Sequence, residues 1–204
     1  MHLAARWLSL LALALVACVS AAPEPAPVET PPRSAAEAMH RAMAVARALH
    51  RPDDVHREFE AFEGDWDVRV EGRLSVSDPF EHLAHGRARL RRVLDGRFVE
   101  WHVQLEAGDD RHAVLGLFGY DVVRGEYQAL WASDLATSLT LARGDGDPFG
   151  RGLVLYGPGA TGGEGAGRDV LRFLDRESFV IESGGTDALG GEGVLRRTVY
   201  SRSP

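Results

Sequence analysis

In the run Val93-Leu94-Asp95-Gly96-Arg97-Phe98-Val99-Glu100-Trp101-His102-Val103-Gln104-Leu105-Glu106, a turn dipeptide is followed by strict alternation. Asp95-Gly96 suits a two-residue type I′ turn, whose central positions both need φ > 0. Beyond it Val99, Trp101, Val103 and Leu105 alternate with Glu100, His102, Gln104 and Glu106, the period of a half-buried strand. The surrounding stretch, 87–134, reads as two hairpins back to back and ends in Trp131-Ala132-Ser133-Asp134. The same rhythm continues in both directions. From Asp65 onward, short apolar runs recur with Gly, Asp or Pro between them. They predict strands at 66–76, 84–94, 97–105, 112–122, 126–132, 138–142, 152–156, 169–174, 178–182 and 193–201. Sequential strands with hairpin-length links favour an antiparallel up-and-down meander of about ten strands closed into a barrel, because closure removes the exposed edges of an open sheet.

Upstream of Asp65 the periodicity is helical. Ser34-Ala35-Ala36-Glu37 is a capping box, after which Met39, Ala42, Met43, Ala46 and Leu49 share one helical stripe. Pro52 stops that helix, and a shorter one is expected from Asp53 or Asp54, burying Val55, Phe59 and Phe62. The stripe is expected to pack on its own domain, the alternative being a docking face for a partner.

The first residues belong to targeting rather than to the fold. Arg6 is a short positive n-region and residues 7–16 are an apolar run of secretory length. Leu15-Val16-Ala17-Cys18 resembles a bacterial lipobox, which implies cleavage before Cys18 and a diacylglyceryl group on its sulfur. With Val19 rather than Asp after the cysteine, the expected location is the periplasmic face of the envelope, at the outer membrane. Pro23, Pro25, Pro27, Pro31 and Pro32 then form a semi-extended tether. The expected organisation is a signal peptide over 1–17, lipidated Cys18 and tether over 18–33, a helical segment over 34–63 and the barrel over 64–204.

Composition excludes several functions. The net charge of −7 argues against nucleic acid as a partner. The chain has no Lys, which removes Schiff-base catalysis and a P-loop lysine. Cys18 is the single cysteine, so the mature domain has neither a disulfide nor a thiol nucleophile in its fold. The glycine-rich run at 157–167 lacks the Lys-Ser or Lys-Thr ending of a phosphate loop and reads as a hairpin tip. His82 and His85 have no third ligand implied by spacing, and no metal site, cofactor or catalytic residue is assigned. An enzyme would need an acid–base pair such as Glu100 with His102 or Asp121 with Asp134, and the balance is against it.

Two constellations point to binding. Trp66, Tyr120 and Trp131, with the acids Asp121 and Asp134 nearby, are the aromatics expected of either a small-ligand pocket or a core plug. Arg196, Thr198, Tyr200 and Arg202 share one face of the last strand; turned inward, Tyr200 and Arg202 suit a carboxylate, but an outward, solvated face is favoured.

His56-x-x-Phe59-x-x-Phe62-Glu63-Gly64-Asp65-Trp66, Val93-Leu94-Asp95-Gly96-Arg97-Phe98, Gly119-Tyr120-Asp121, Trp131-Ala132-Ser133-Asp134 and Tyr200-Ser201-Arg202, in that order, resemble the DUF1579 family of uncharacterised bacterial proteins. The resemblance covers 56–202 and implies a calycin-like barrel of the lipocalin or fatty-acid-binding type, without naming an activity. The expectation is therefore an envelope lipoprotein whose barrel binds a small apolar or amphipathic ligand, with Trp66, Tyr120, Trp131 and Arg202 as lining residues. The alternative is a structural module with a filled barrel and a docking helix.

Overall fold

The computed structural model describes residue 31 and residues 33–146, 152–158 and 166–204. The signal peptide, Cys18, most of the tether and most of the glycine-rich run at 157–167 lie outside the described residues. The chain divides into two units, Met1–His40 and Arg41–Pro204. In the first, Ser34 caps the helix α1 (Ala35–Leu49) by accepting from Glu37 N at 3.1 Å, while the Glu37 carboxylate accepts from Arg33 N at 2.7 Å.

The second unit continues α1 and adds α2 (Asp54–Glu58), a 3₁₀ turn (Phe59–Phe62) and ten strands: β1 (Gly64–Gly72), β2 (Glu81–Val93), β3 (Phe98–Ala107), β4 (Asp110–Asp121), β5 (Glu126–Ser133), β6 (Thr140–Gly146), β7 (Gly152–Pro158), β8 (Ala166–Phe173), β9 (Ser178–Thr186) and β10 (Glu192–Arg202). Each strand pairs antiparallel with the next, and β1 closes on β10 with Trp66 opposite Arg202 and Val70 opposite Thr198. The meander is thus a closed calycin-like barrel, as its period-2 patterning and short links predict.

Three details differ from expectation. The β2–β3 turn is centred one residue early. Leu94 and Asp95 both take positive φ, at 52° and 58°, Gly96 follows at 79°, and Gly96 N donates to Val93 O at 3.1 Å. Four residues, not two, therefore separate the paired Val93 and Phe98. Arg97 steadies the loop by donating to Leu94 O. Secondly, β1 ends at Gly72 rather than near Val76, because residues 73–78 turn toward the β9–β10 loop, where Ser75 and Val76 bind the Asp187 carboxylate. Thirdly, the apolar stripe is not buried where α1 runs into the second unit: among the described residues Met43 and Leu49 are exposed. Covering an apolar core is instead the task of the shorter segment after Pro52. Asp53 caps α2 in a reciprocal box with His56, and Phe59 and Phe62 are buried.

Those phenylalanines enter one end of the barrel. Phe59 packs on Phe118 at 5.2 Å between ring centroids, and Phe62 meets Phe173 at 4.9 Å and Phe179 at 5.6 Å. Trp66 and Phe179 pack edge to face, and Phe179 stacks on Tyr200 at 4.4 Å. This end of the barrel, where β1 begins and β10 finishes, is filled with aromatic side chains.

Candidate functional site

The other end is hollow. A cavity of about 300 Å³ lies among the later residues of β1, β3, β5 and β7 and the earlier residues of β4, β6, β8 and β10. Alternation dictates its chemistry: on each strand every second side chain faces in, so the inward residues of the wall are set by register. Val70, Val103, Leu105, Val114 and Ile181 make most of the wall apolar. Trp131 contributes the largest surface, and Gly116 opposite it on β4 makes that possible. A Cβ at Gly116 would stand 2.1 Å from the indole ring. Behind this layer Trp101 packs edge to face on both Trp131 and Tyr200, at 5.3 and 5.4 Å.

The two charged residues of the wall, Asp169 and Arg196, lie on one side. Asp169 on β8, Ser183 on β9 and Arg196 on β10 are register neighbours and all line the cavity, followed along β10 by Thr198 and Tyr200. Alternation along β10 produces this arrangement, since Arg196, Thr198 and Tyr200 keep unbroken register with both β9 and β1. Val194 lies opposite Gly184 and Arg196 opposite Ser183, leaving Leu195 as the extra residue. The bulge at Leu195 ends this register just beyond Arg196 and leaves the inward face from Arg196 to Tyr200 intact. The favoured expectation of a solvated face is therefore corrected: Arg196, Thr198 and Tyr200 point inward. Arg196 Nη2 donates to Ser183 Oγ at 3.0 Å, while its Nε is buried without a hydrogen-bond partner. Burial pushes the Tyr200 phenol well above its ordinary range, with the Arg196 charge opposing, so the hydroxyl stays protonated and remains a donor.

Of the four expected lining residues, Trp131 lines the cavity. Trp66, Tyr120 and Arg202 lie at the filled end. Trp66 is fully buried and donates from Nε1 to Phe62 O at 2.8 Å. The Arg202 guanidinium lies 4.3 Å over the Trp66 ring and donates to Glu63 O and Ala61 O, tying the 3₁₀ turn to the last strand. Its fork is occupied by these carbonyls and by Glu177, at 3.3 Å. Tyr120 packs edge to face on His56 and Tyr127, beneath α2. The acids beside the aromatics have local work. Asp121 Oδ1 accepts from Val123 N and Arg124 N in the β4–β5 turn, and Asp134 Oδ2 accepts from Ala113 N at the opposite end of the same hairpin. Asp121 and Asp134 therefore do not meet. Glu100 and His102 do, at 3.2 Å, but on the outside of the barrel. His82 and His85 stand 5.9 Å apart between ring centroids, and among the described residues no three His, Cys, Asp or Glu side chains gather as a metal site requires.

A second, shallower depression of about 690 Å³ lies largely over the outer face of β1–β3. Its charges satisfy one another, Arg87 with Asp67 and both His85 and Arg111 with Glu106, which leaves little for a ligand to recognise. The inward polar wall is the feature that sequence reasoning underweighted. Alternation puts Arg196, Thr198 and Tyr200 together, but Asp169 and Ser183 join them only through barrel register.

Residues 51–202 match a family model described as a protein of unknown function (DUF1579). Among solved structures the chain is similar to Rv2717c from M. tuberculosis, with a TM-score of 0.54 and 14% identity over 74% of this chain and 99% of that one. It is also similar to the S-type phycobiliprotein lyase CPES from Guillardia theta, with a TM-score of 0.49 and 12% identity over 78% and 97% of the respective chains. No curated protein sequence matches the chain. At these identities the structural likeness speaks to fold alone.

Proposed function

The chain belongs to the DUF1579 family, and from that premise we propose that it is an envelope-anchored lipoprotein whose barrel binds a small apolar or amphipathic ligand at its hollow end. The observation that carries this is the cavity: about 300 Å³, walled largely by branched aliphatic residues and Trp131, with Asp169, Ser183 and Arg196 side by side on its wall. Pockets for small molecules begin at about this size and combine these two kinds of surface. Packed interiors ordinarily leave few voids larger than a water molecule. A cavity at one end, beside a densely packed aromatic layer at the other, supports a binding role for the hollow end. Anchoring through a diacylglyceryl group on Cys18, with the proline-rich segment as spacer and the periplasmic face of the outer membrane as location, rests on the sequence at 6–32.

Native mass spectrometry of protein purified from its own envelope tests the binding. A co-purifying small molecule that is lost when the cavity is filled supports carriage or sensing. No adduct, with an unchanged melting temperature across a lipid and metabolite panel, refutes it. Cys18→Ala tests the anchor: the variant should leave the membrane fraction, and retention there overturns lipidation. A second reading draws on α1, whose exposed Met43, Val45 and Leu49 are the apolar side chains of a docking helix in a structural module of the envelope. Loss of a co-purifying protein partner on Met43→Glu, with no small molecule found, would favour it.

A further inference from the structure

Resting on that reading, we propose that the ligand is a medium-length monocarboxylate whose head group is bound by Arg196 inside the barrel. Alternation on β10 puts the Arg196 guanidinium on the wall of a largely apolar cavity, an arrangement that costs desolvation energy unless the charge finds a partner. The partner found is neutral. Arg196 donates once, to Ser183 Oγ, its Nε is buried and unmatched, and among the described residues no carboxylate lies within the 4.0 Å of an ion pair. Neighbouring arginines on the outside of the same strands show the usual solution. Arg172 and Arg197 both pair with Glu182, at 2.8 and 3.0 Å. Inside the barrel Asp169 lines the same wall without forming an ion pair with Arg196, and a ligand carboxylate would supply one with the two-point geometry a guanidinium fork prefers.

The rest of the site narrows the choice. Thr198 and Tyr200, further along the same face, add hydroxyl donors, and Tyr200 stays protonated. Asp169 shares the wall two strands away, a like charge that a monoanion tolerates better than a phosphate dianion. Val103, Val114, Ile181 and Trp131 offer the tail an apolar surface. At roughly 30 Å³ per water-sized group, the volume holds on the order of ten heavy atoms. That is about the size of an eight-carbon acid.

Calorimetric titration of the full chain with octanoate, octanol, octylamine and octyl phosphate at neutral pH tests this. Octanoate should bind at least about tenfold more tightly than each of the others, the worth of a charge-assisted hydrogen bond. Arg196→Met should weaken octanoate by roughly ten- to a hundredfold and leave octanol unchanged. Asp169→Asn, by removing a like charge, should tighten octanoate several-fold without affecting octanol. If Arg196→Met fails to fold, Arg196→Lys, which keeps the charge but not the fork, should still lose part of the octanoate affinity. Equal binding of octanoate and octanol in both proteins overturns the head-group assignment while leaving an apolar ligand in place. Tighter binding of octyl phosphate or octylamine overturns it in favour of another head group. Failure of the whole panel to bind removes the ligand reading itself.

Discussion

The two ends of this barrel are built from the same ten strands by the same alternation, yet one is full and the other is not. At the filled end the inward positions carry Trp66, Phe118, Phe173 and Phe179, and the 3₁₀ turn drives Phe59 and Phe62 down among them. At the hollow end the inward positions carry Val, Thr, Ser and Ala, with Trp131 held to the wall by the room that Gly116 leaves. The difference lies in side-chain volume at the inward positions and in the 3₁₀ turn that adds Phe59 and Phe62 at one end. On the proposed reading, stability and binding are divided along the barrel axis, so substitutions at the two ends should fail in different ways.

The largest effect is expected from Trp66→Ala. Trp66 is fully buried, donates to Phe62 O and carries Arg202 on its face, so truncation removes packing, the hydrogen bond and the support for the 3₁₀ turn together. A loss of about 3–5 kcal/mol is expected in denaturant unfolding. A change under about 1 kcal/mol would show that the filled end is not the stabilising half.

Equal additions of volume should sharpen the contrast. Ala88 on β2 faces the packed interior opposite Trp66, and Ala142 on β6 lines the cavity. Ala88→Leu forces extra methyl groups into a filled space and should cost about 1–3 kcal/mol. Ala142→Leu enters the void and should leave stability unchanged or raised by up to about 1–2 kcal/mol, while abolishing ligand uptake in native mass spectrometry. The same outcome for both would mean that the cavity is closed by relaxation in solution.

What could be read before the fold was known follows the same division. Period-2 alternation is local, so the ten strands, the outward placement of His102 and the closure of the meander were all legible in the sequence. Which end of the barrel an inward residue occupies is not local. Trp66, Tyr120, Trp131 and Arg202 look alike as aromatic or basic punctuation in strands, and only the position of the 3₁₀ turn separates the first, second and fourth from the third. The bulge at Leu195 was invisible for a related reason: it is a property of two strands in register, and β10 alone shows uninterrupted alternation. The turn at Leu94 shows the limit of dipeptide rules. Asp95-Gly96 supplies the positive φ that such turns need, yet the pairing of Val93 with Phe98 draws a leucine into the left-handed region as well.

Arg202 tests whether the filled end was correctly separated from the site. Its guanidinium binds two backbone carbonyls of the 3₁₀ segment and covers Trp66, so Arg202→Gln should cost about 1–2 kcal/mol and leave octanoate affinity untouched. Weakened octanoate binding in an otherwise native variant would place Arg202 back in the recognition of the ligand. Arg196→Met should do the reverse, losing affinity with little change in melting temperature.

The smallest effect is expected at the rim of the hollow end, where Asp187 joins the β1–β2 and β9–β10 loops. Its carboxylate accepts from Ser75 Oγ, Val76 N, Leu189 N and Gly191 N, and these donors, the backbone amides of Val76 and Gly191 foremost, hold its pKa down at about 2. A carboxylate depressed in the folded state contributes stability that is complete above the unfolded value of about 3.9 and is lost as pH falls through about 2. Thermal unfolding followed from pH 6 to pH 2 should therefore show the native protein losing more than Asp187→Asn does, with the two curves converging at the acid end. At neutral pH the variant should melt a few degrees lower, since the amide keeps one acceptor oxygen but loses the charge that suits four donors. A variant whose melting curve parallels the native one down to pH 2 would show that the two loops at the cavity's rim are held by something other than this carboxylate.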